Sequence, residues 1–305
     1  MMENYFKTSV FSPIVEFYKN YSESTDLSVE DFLISNYSLS QNFEIETAKE
    51  LYENFEGELL QKTFLPDGFI IEKNSMFYEK AVLFSMILSL NPDWKVLLEG
   101  GTSRFLDNIL KFNSHENIKQ IFEQADLFDS NIMNMFWWAY FESKLKNDSW
   151  NLRKIGVNGE YLTYQYEKKY LNELKIEKDP ILMCLKNPSA GYDIKSFRKD
   201  QNGNEYEIYI EAKITKTNKN NFFLSRNEFN TLSEKENNYF IYFWNKNGPK
   251  DEGIGFNIND ISGVELNTEE YYLLVIDSTE LISISPKDGK HSQWEKALYD
   301  ASHLV

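Results

Sequence analysis

Residues 191–213 read GYDIKSFRKDQNGNEYEIYIEAK. This stretch predicts a β-hairpin. Tyr192–Arg198 alternates as a strand, and Gln201-Asn202-Gly203-Asn204 supplies the turn chemistry between two alternating runs. Glu205–Ile214 then alternates strongly, with Tyr206, Ile208 and Ile210 on one face and Glu205, Glu207, Tyr209 and Glu211 on the other. Side chains two apart on a strand share a face, so Glu211 and Lys213 project together. Asp193 stands just after the turn Asn187-Pro188-Ser189-Ala190-Gly191. If the two strands pair as a hairpin, Asp193 comes near Glu211 at one end of the sheet. Ala212 then lies on the opposite side, where a small residue suits packing.

The flanking sequence extends the pattern to helix, three strands, helix, strand. Asn158-Gly159-Glu160 is read as opening a helix that runs to about Lys175, and Pro180–Leu185 as a short apolar strand. The lone cysteine, Cys184, is expected there as a small buried hydrophobe, and with no second cysteine a disulfide within the chain and a cysteine-based zinc site are excluded. Arg226–Lys235 is a helix capped by Ser225, and Tyr239–Trp244 a final apolar strand. Lys216–Asn221 reads as a loop. Beyond residue 251, Tyr271–Ile276 and Leu281–Ile284 look like strands and residues 292–302 like a closing helix, all assigned to the same domain.

Hydrolysis of a phosphodiester needs charge neutralisation at phosphorus, an activated water and help for the leaving oxygen. Magnesium is a hard cation that takes a few carboxylate oxygens and keeps its waters. Asp193 and Glu211 supply such oxygens, joined by the backbone carbonyl of Ala212, so Mg2+ (or Mn2+) is the expected cofactor. Lys213 is placed to orient water and to stabilise developing charge. Glu160, read as lying near the start of its helix, is a further acid for a metal-bound water or a second metal. Glu167, Glu228 and Lys195 each carry two readings. They take part in the site, or they pair with opposite charges and cap backbone.

The first 150 residues read mainly as helices. Ser28-Val29-Glu30-Asp31 resembles a capping box, 45–62 is amphipathic, 76–91 is apolar on several faces, Asn91-Pro92-Asp93 breaks the chain, and 115–126 and 129–146 form two more helices. Gly100-Gly101-Thr102-Ser103 lacks the Gly-Lys-Ser/Thr ending of a phosphate loop and reads as a turn. Phe136-Trp137-Trp138, at helical spacing, reads as core. His115, His291 and His303 are the three histidines, too scattered to support a histidine metal cluster or a Ser-His-Asp hydrolase. Periodicity changes near 147–155, which places a domain boundary there. Charge changes with it. Residues 1–150 hold 12 Lys/Arg against 24 Asp/Glu, residues 151–250 hold 17 against 13, and residues 251–305 hold 3 against 11, within a net −16. The whole chain is thus unsuited to general nucleic-acid or anionic-membrane binding, while its one basic stretch coincides with the acid–lysine motif.

Five segments together resemble a known group: Gly156-Val157-Asn158-Gly159-Glu160, Tyr166-Glu167, Gly191-Tyr192-Asp193-Ile194-Lys195-Ser196, Ile210-Glu211-Ala212-Lys213 and Leu224-Ser225-Arg226-Asn227-Glu228. They look like the nuclease-like domain at the C-terminus of the plant protein NO VEIN and of many bacterial proteins, often in phage-defence loci. That family is similar to the PD-(D/E)XK enzymes. Its usual valine between glutamate and lysine is Ala212 here. The resemblance, which covers residues 156–244, implies a restriction-endonuclease-like domain with a mixed central sheet, assigned to 151–305; with the all-helical reading of residues 1–150 as a regulatory or interaction domain, the chain is expected to be α+β. The resemblance also implies metal-ligand roles for Asp193 and Glu211, a catalytic role for Lys213 and a supporting acid at Glu160. The expected activity is endonucleolytic, on DNA in preference to RNA, in antiviral defence. Catalytically silent binding of nucleic acid or protein, and RNA cleavage, are the alternatives. The acidic N-terminal domain is the expected protein-contact surface, and homo-oligomerisation is open. The N-terminus has neither a basic region nor an apolar run, and Ala81–Leu90 is too short to span a bilayer, so a cytoplasmic protein without a membrane partner is expected.

Overall fold

The computed structural model describes residues 5–20, 78–99, 116–129, 132–146, 150–215, 221–245, 272–277 and 296–300, with single positions 31, 35, 44, 47, 48, 50, 51, 105 and 108. The readings at Ser28–Glu30, Gly100–Ser103, His115, Leu281–Ile284, His291 and His303, and at most of 45–62, lie outside the described residues. The chain divides into two compact units. One is Met1–Asp129 with Lys144–Lys146 and Ser262–Glu265, and the other is Ser130–Ser143, Asn147–Ile261 and Leu266–Val305. The chain passes between the two units at 129/130, 143/144 and 146/147.

In the first unit, helices α1 (Thr8–Asn20), α2 (Tyr78–Leu90), α3 (Lys95–Glu99) and α4 (Glu116–Gln124) are described. Apolar residues occur all round α2, and Ala81, Val82, Leu83, Phe84, Met86 and Ile87 are buried, as an all-round apolar helix requires. Asn91 takes a left-handed φ of 46° and ends α2 before Pro92. Trp94 packs edge-on against Phe6 and Phe122. Lys80 is fully buried and paired with Asp126 at 3.1 Å.

The second unit opens with α5 (Ile132–Leu145) and α6 (Trp150–Glu173). Phe136, Trp137 and Trp138 are at most 2% exposed, so this aromatic run is core. The short strand β1 is only Ile181–Leu182, and Met183–Lys186 turns as a one-turn helix, α7. Pro180–Leu185 was expected as one strand. Its apolar run is too short for period to separate strand from buried turn, and Cys184 belongs to the helical turn. Next come β2 (Ile194–Lys199), β3 (Glu205–Thr215), β4 (Asn221–Ser225), α8 (Arg226–Lys235), β5 (Tyr239–Asn245), β6 (Tyr272–Asp277) and β7 (Lys296–Asp300). The strand β7 replaces the helix expected over 292–302, because it pairs antiparallel with β4, a partner 71 residues away in sequence at Ser225↔Lys296.

The main sheet is mixed, in the order β1-β2-β3-β5-β6. Strands β2 and β3 are antiparallel, β3 and β5 parallel, and β5 and β6 antiparallel. The parallel step forces a crossover, which β4 and α8 supply. Helix α6 packs against β2, β3 and β5. On the α8 side, Tyr239, Ile241, Phe243, Leu232, Leu224, Phe222 and Ile276 form one core cluster.

Helix α6 begins ten residues before Glu160, so Glu160 is mid-helix and not near its start. Glycine lowers helix propensity by about 1 kcal/mol but does not stop a helix. At Gly159 the reason for glycine is spatial: a Cβ would lie 3.0 Å from Cβ and 3.1 Å from Cγ2 of Ile214 on β3. At Gly156 nothing lies within 4 Å. Gly156→Ala is therefore expected to stabilise the protein by about 0.5–1 kcal/mol, whereas Gly159→Ala gives no gain and Gly159→Leu destabilises by about 1–3 kcal/mol through overpacking. Urea denaturation of the three variants checks this, and equal effects at the two glycines would contradict it.

Candidate functional site

The register of the hairpin builds the site. Ile194 opposes Ile210, and Lys199 opposes Glu205. One residue further back, Asp193 stands opposite Glu211 and its N–H donates to the Ile210 carbonyl at 3.0 Å. The Asp193 side chain takes over where β2 ends, with Oδ2 accepting the Ala212 N–H at 2.8 Å. Backbone N–H and C=O of one strand residue point to the same edge. The Ala212 carbonyl therefore faces the same open edge as its N–H, beside Asp193.

Glu211 and Lys213 lie side by side on the α8 face, as alternation requires. Lys213 Nζ donates to Glu211 Oε1 at 2.6 Å and to Glu228 Oε2 at 3.1 Å. Glu228 opens α8 in a capping box: Ser225 Oγ accepts the Glu228 N–H at 3.3 Å, and Glu228 Oε2 accepts the Ser225 N–H at 2.8 Å. Glu228 thus caps backbone and pairs with an opposite charge, the Lys213 ammonium.

The structure brings together Asp193, Glu211, Lys213 and Glu228. Glu160 is not among the groups whose charges weigh most on one another here. It is half-buried on α6, beside the sheet-facing residues Gly159 and Thr163. Ile214 meets Gly159 on that face, so Lys213 points away from α6. Glu167 resolves to its pairing role. Its carboxylate accepts two 2.7 Å bonds from the Arg198 guanidinium and one of 2.6 Å from the Tyr242 hydroxyl. Arg198 also stacks over Tyr170 at 4.4 Å. Lys195 pairs with Glu207 at 2.9 Å.

Three carboxyls share one ammonium in this cluster, and the electrostatics follow. Burial and the charge of Asp193 push Glu211 well above the carboxylate range. Burial raises Asp193 to about 6, against the pull of Lys213 and the Ala212 N–H. For Lys213, burial favours the neutral amine, but Glu211, Glu228 and Asp193 together overcome it and raise its pKa. These neighbours hold Lys213 in its ammonium form. For Glu228, burial is outweighed by Lys213 and the Ser225 N–H, and the carboxylate stays below its ordinary range.

One residue of the site escaped the sequence reading. Tyr239 opens β5, is fully buried, and donates its hydroxyl to the Gly191 carbonyl at 2.9 Å. Burial raises its pKa, with the charges of Glu211, Glu228 and Asp193 adding to the effect. The same turn is held by Thr231 Oγ1 donating to the Ala190 carbonyl at 3.2 Å and by Asn227 Nδ2 donating to the Ser189 carbonyl at 3.0 Å. Gly191 has φ +77°, and a Cβ there would meet Thr231 Oγ1, so only glycine permits this anchoring. The sole hint in sequence was an aromatic at the first position of an apolar strand.

Lys213 and Glu228 reach the wall of a cleft of about 420 Å³, lined also by Ile214, Asn221, Phe222, Phe223 and Ser225. Among the described residues, no three His, Cys, Asp or Glu side chains are spaced to hold a metal ion by themselves. The donor set that fits a hard cation is smaller: Asp193, Glu211 and the Ala212 carbonyl, with water completing the shell. An excess of buried carboxyl over ammonium is the feature that suits a divalent cation.

The family described as Protein NO VEIN, C-terminal, has a model that matches residues 159–253, just under a third of the chain. The four clustered residues, Glu160 and Tyr239 all fall inside that match. Neither the curated proteins nor the solved structures compared with the chain give a match. Among the described residues, no helix is long and apolar enough to cross a membrane.

The raised Asp193 and Glu211 predict the sign of a pH effect. Where the folded pKa exceeds the unfolded one, the folded state binds more protons, and stability falls as pH rises through that window. For Asp193 the window runs from about 4 to about 6. Melting temperature in the absence of divalent cations should fall over that range in the wild type, and less steeply in Asp193→Asn. Parallel curves for the two proteins would contradict the burial argument.

Proposed function

We propose that the second unit is a metal-dependent endonuclease of the PD-(D/E)XK type that hydrolyses phosphodiester bonds in DNA. The observation that carries this reading is the convergence of Asp193, Glu211 and Lys213 from two strands onto one face, with the Ala212 backbone turned to the same edge. The mixed five-stranded sheet with a helix on each side is compatible with that fold. A divalent cation, Mg2+ or Mn2+, would be held by Asp193, Glu211 and the Ala212 carbonyl, where it would neutralise phosphate charge. Lys213, kept cationic by its acidic neighbours, orients the attacking water and stabilises the charge that develops on the phosphoryl oxygens. Glu228 holds the Lys213 ammonium in place. Glu160 is assigned a supporting part, approaching from α6. The basic balance of residues 151–250 favours an anionic substrate. A role as effector in bacterial antiphage defence, with the acidic first unit as the protein-contact region, rests on the family resemblance alone.

One observation favours a second reading, a catalytically silent nucleic-acid- or protein-binding module. Lys213 is closed onto Glu211 and Glu228, and a three-carboxylate ligand set is absent among the described residues. Plasmid and total RNA incubated separately with the protein and Mg2+ or Mn2+ separate the readings. Cleavage of plasmid is expected, abolished by EDTA and reduced about 10²–10³-fold in Asp193→Asn and in Lys213→Met. Tight binding without metal-dependent cleavage would favour the silent module, and cleavage of RNA alone would move the substrate.

A further inference from the structure

The strand β4 alternates sharply. Phe222 and Leu224 are buried in the α8-side core, while Asn221, Phe223 and Ser225 face the other way. Phe223 is 46% exposed, one of four large hydrophobics so exposed among the described residues. The other three, Val96, Tyr206 and Val275, do not line the cleft, whereas Phe223 shares its wall with Lys213, Glu228 and Asn221. A single exposed apolar side chain is ordinary. An exposed aromatic ring beside the proposed catalytic lysine, on a strand held on one side by β4–β7 pairing and on the other by the core, is a positioned ring.

An aromatic face gives about 1–3 kcal/mol per stacked base, with any base accepted, but only where that base is already unpaired. Ser225 is committed to the helix cap, leaving Asn221 as the amide on this wall, with both a donor and an acceptor for a base edge. The cleft volume of about 420 Å³ lies in the range that accepts a compact organic ligand.

We infer that Phe223 and Asn221 form a nucleobase subsite, in which an unpaired base stacks on Phe223 while the neighbouring phosphate lies at Lys213. The preferred substrate is then a single-stranded or locally opened nucleic-acid strand, not an intact duplex. This rests on the nuclease reading for the location of the phosphate, though base binding itself does not require turnover.

The test uses the full chain with a labelled single-stranded oligonucleotide, its duplex, and an RNA strand of the same sequence. Cleavage is followed in Mg2+ and binding in Ca2+. Phe223→Ala should raise KM and Kd for the single strand bound by the wild type by roughly 5- to 150-fold, with little change on the duplex. Phe223→Trp should restore wild-type values. An abasic nucleotide moved along the strand should weaken wild-type binding at one position and leave Phe223→Ala unaffected there. If cleavage occurs but Phe223→Ala matches the wild type on single strands, or loses equally on duplex, the subsite is wrong and the nuclease reading stands. If no strand is cleaved yet binding depends on Phe223 in this way, the subsite stands and the nuclease reading fails. If the wild type neither binds nor cleaves any of the three nucleic acids, both fall.

Discussion

The pairing of β2 with β3 is the constraint on which the rest of the second unit depends. Its register is stated by Ile194 opposite Ile210, and it ends at Asp193, whose carboxylate takes the Ala212 N–H in place of a strand carbonyl. A strand has a side-chain period of two, so a slip of one residue would exchange its faces. Glu211 and Lys213 would then point at α6, and Ile210 and Ile214 at the cleft. The register is protected because both wrong placements are costly: Ile214 already fills the space left by Gly159, and the odd positions of β5 already fill the other core.

The same sheet carries a buried polar group on each face, and the two differ in charge balance. On the α6 face, Glu167 meets Arg198 in a bidentate pair, with Tyr242 completing the carboxylate. One negative charge meets one positive, and the fork geometry offsets much of the desolvation. On the α8 face, Asp193, Glu211 and Glu228 surround one ammonium. The imbalance appears as carboxyls driven upward, in contrast to the neutral account on the opposite face. That contrast in charge balance separates Glu167 from Glu211 better than burial does, since both are buried.

The parts legible in the sequence were those with local causes. The hairpin announced itself through Asn202-Gly203 and two alternating runs, and the start of α8 through Ser225 and Glu228 three residues apart. Residues whose placement depends on distant partners were less legible. The strand β4 went unread, with Asn221 assigned to a loop and Ser225 only to a cap, because its partner β7 follows so far along the chain. Gly156 and Gly159 suggested a helix start, but one is merely tolerated and the other marks the approach of Ile214. That error also misplaced Glu160, which sits mid-helix and not near a helix start. Tyr239 was invisible as a site residue because its hydroxyl acts on a backbone carbonyl 48 residues earlier.

The turn carrying Asp193 and the strand carrying Lys213 are tied to one helix by different means. Glu228 at the first turn of α8 holds Lys213, and Thr231 and Asn227, one turn apart or less, hold Ala190 and Ser189. A capping glutamate is normally satisfied by backbone alone. Here the same Oε2 also accepts from the Lys213 ammonium, so fraying of the cap would release the lysine. Fixing α8 therefore fixes the distance between the acid on β2 and the cation on β3. Asp193 lies just beyond the end of β2, outside the strand ladder, and a site needing sub-ångström placement gains from an external brace. The helix acts as that brace, which explains why the cap residue, a surface feature in most helices, is turned inward here.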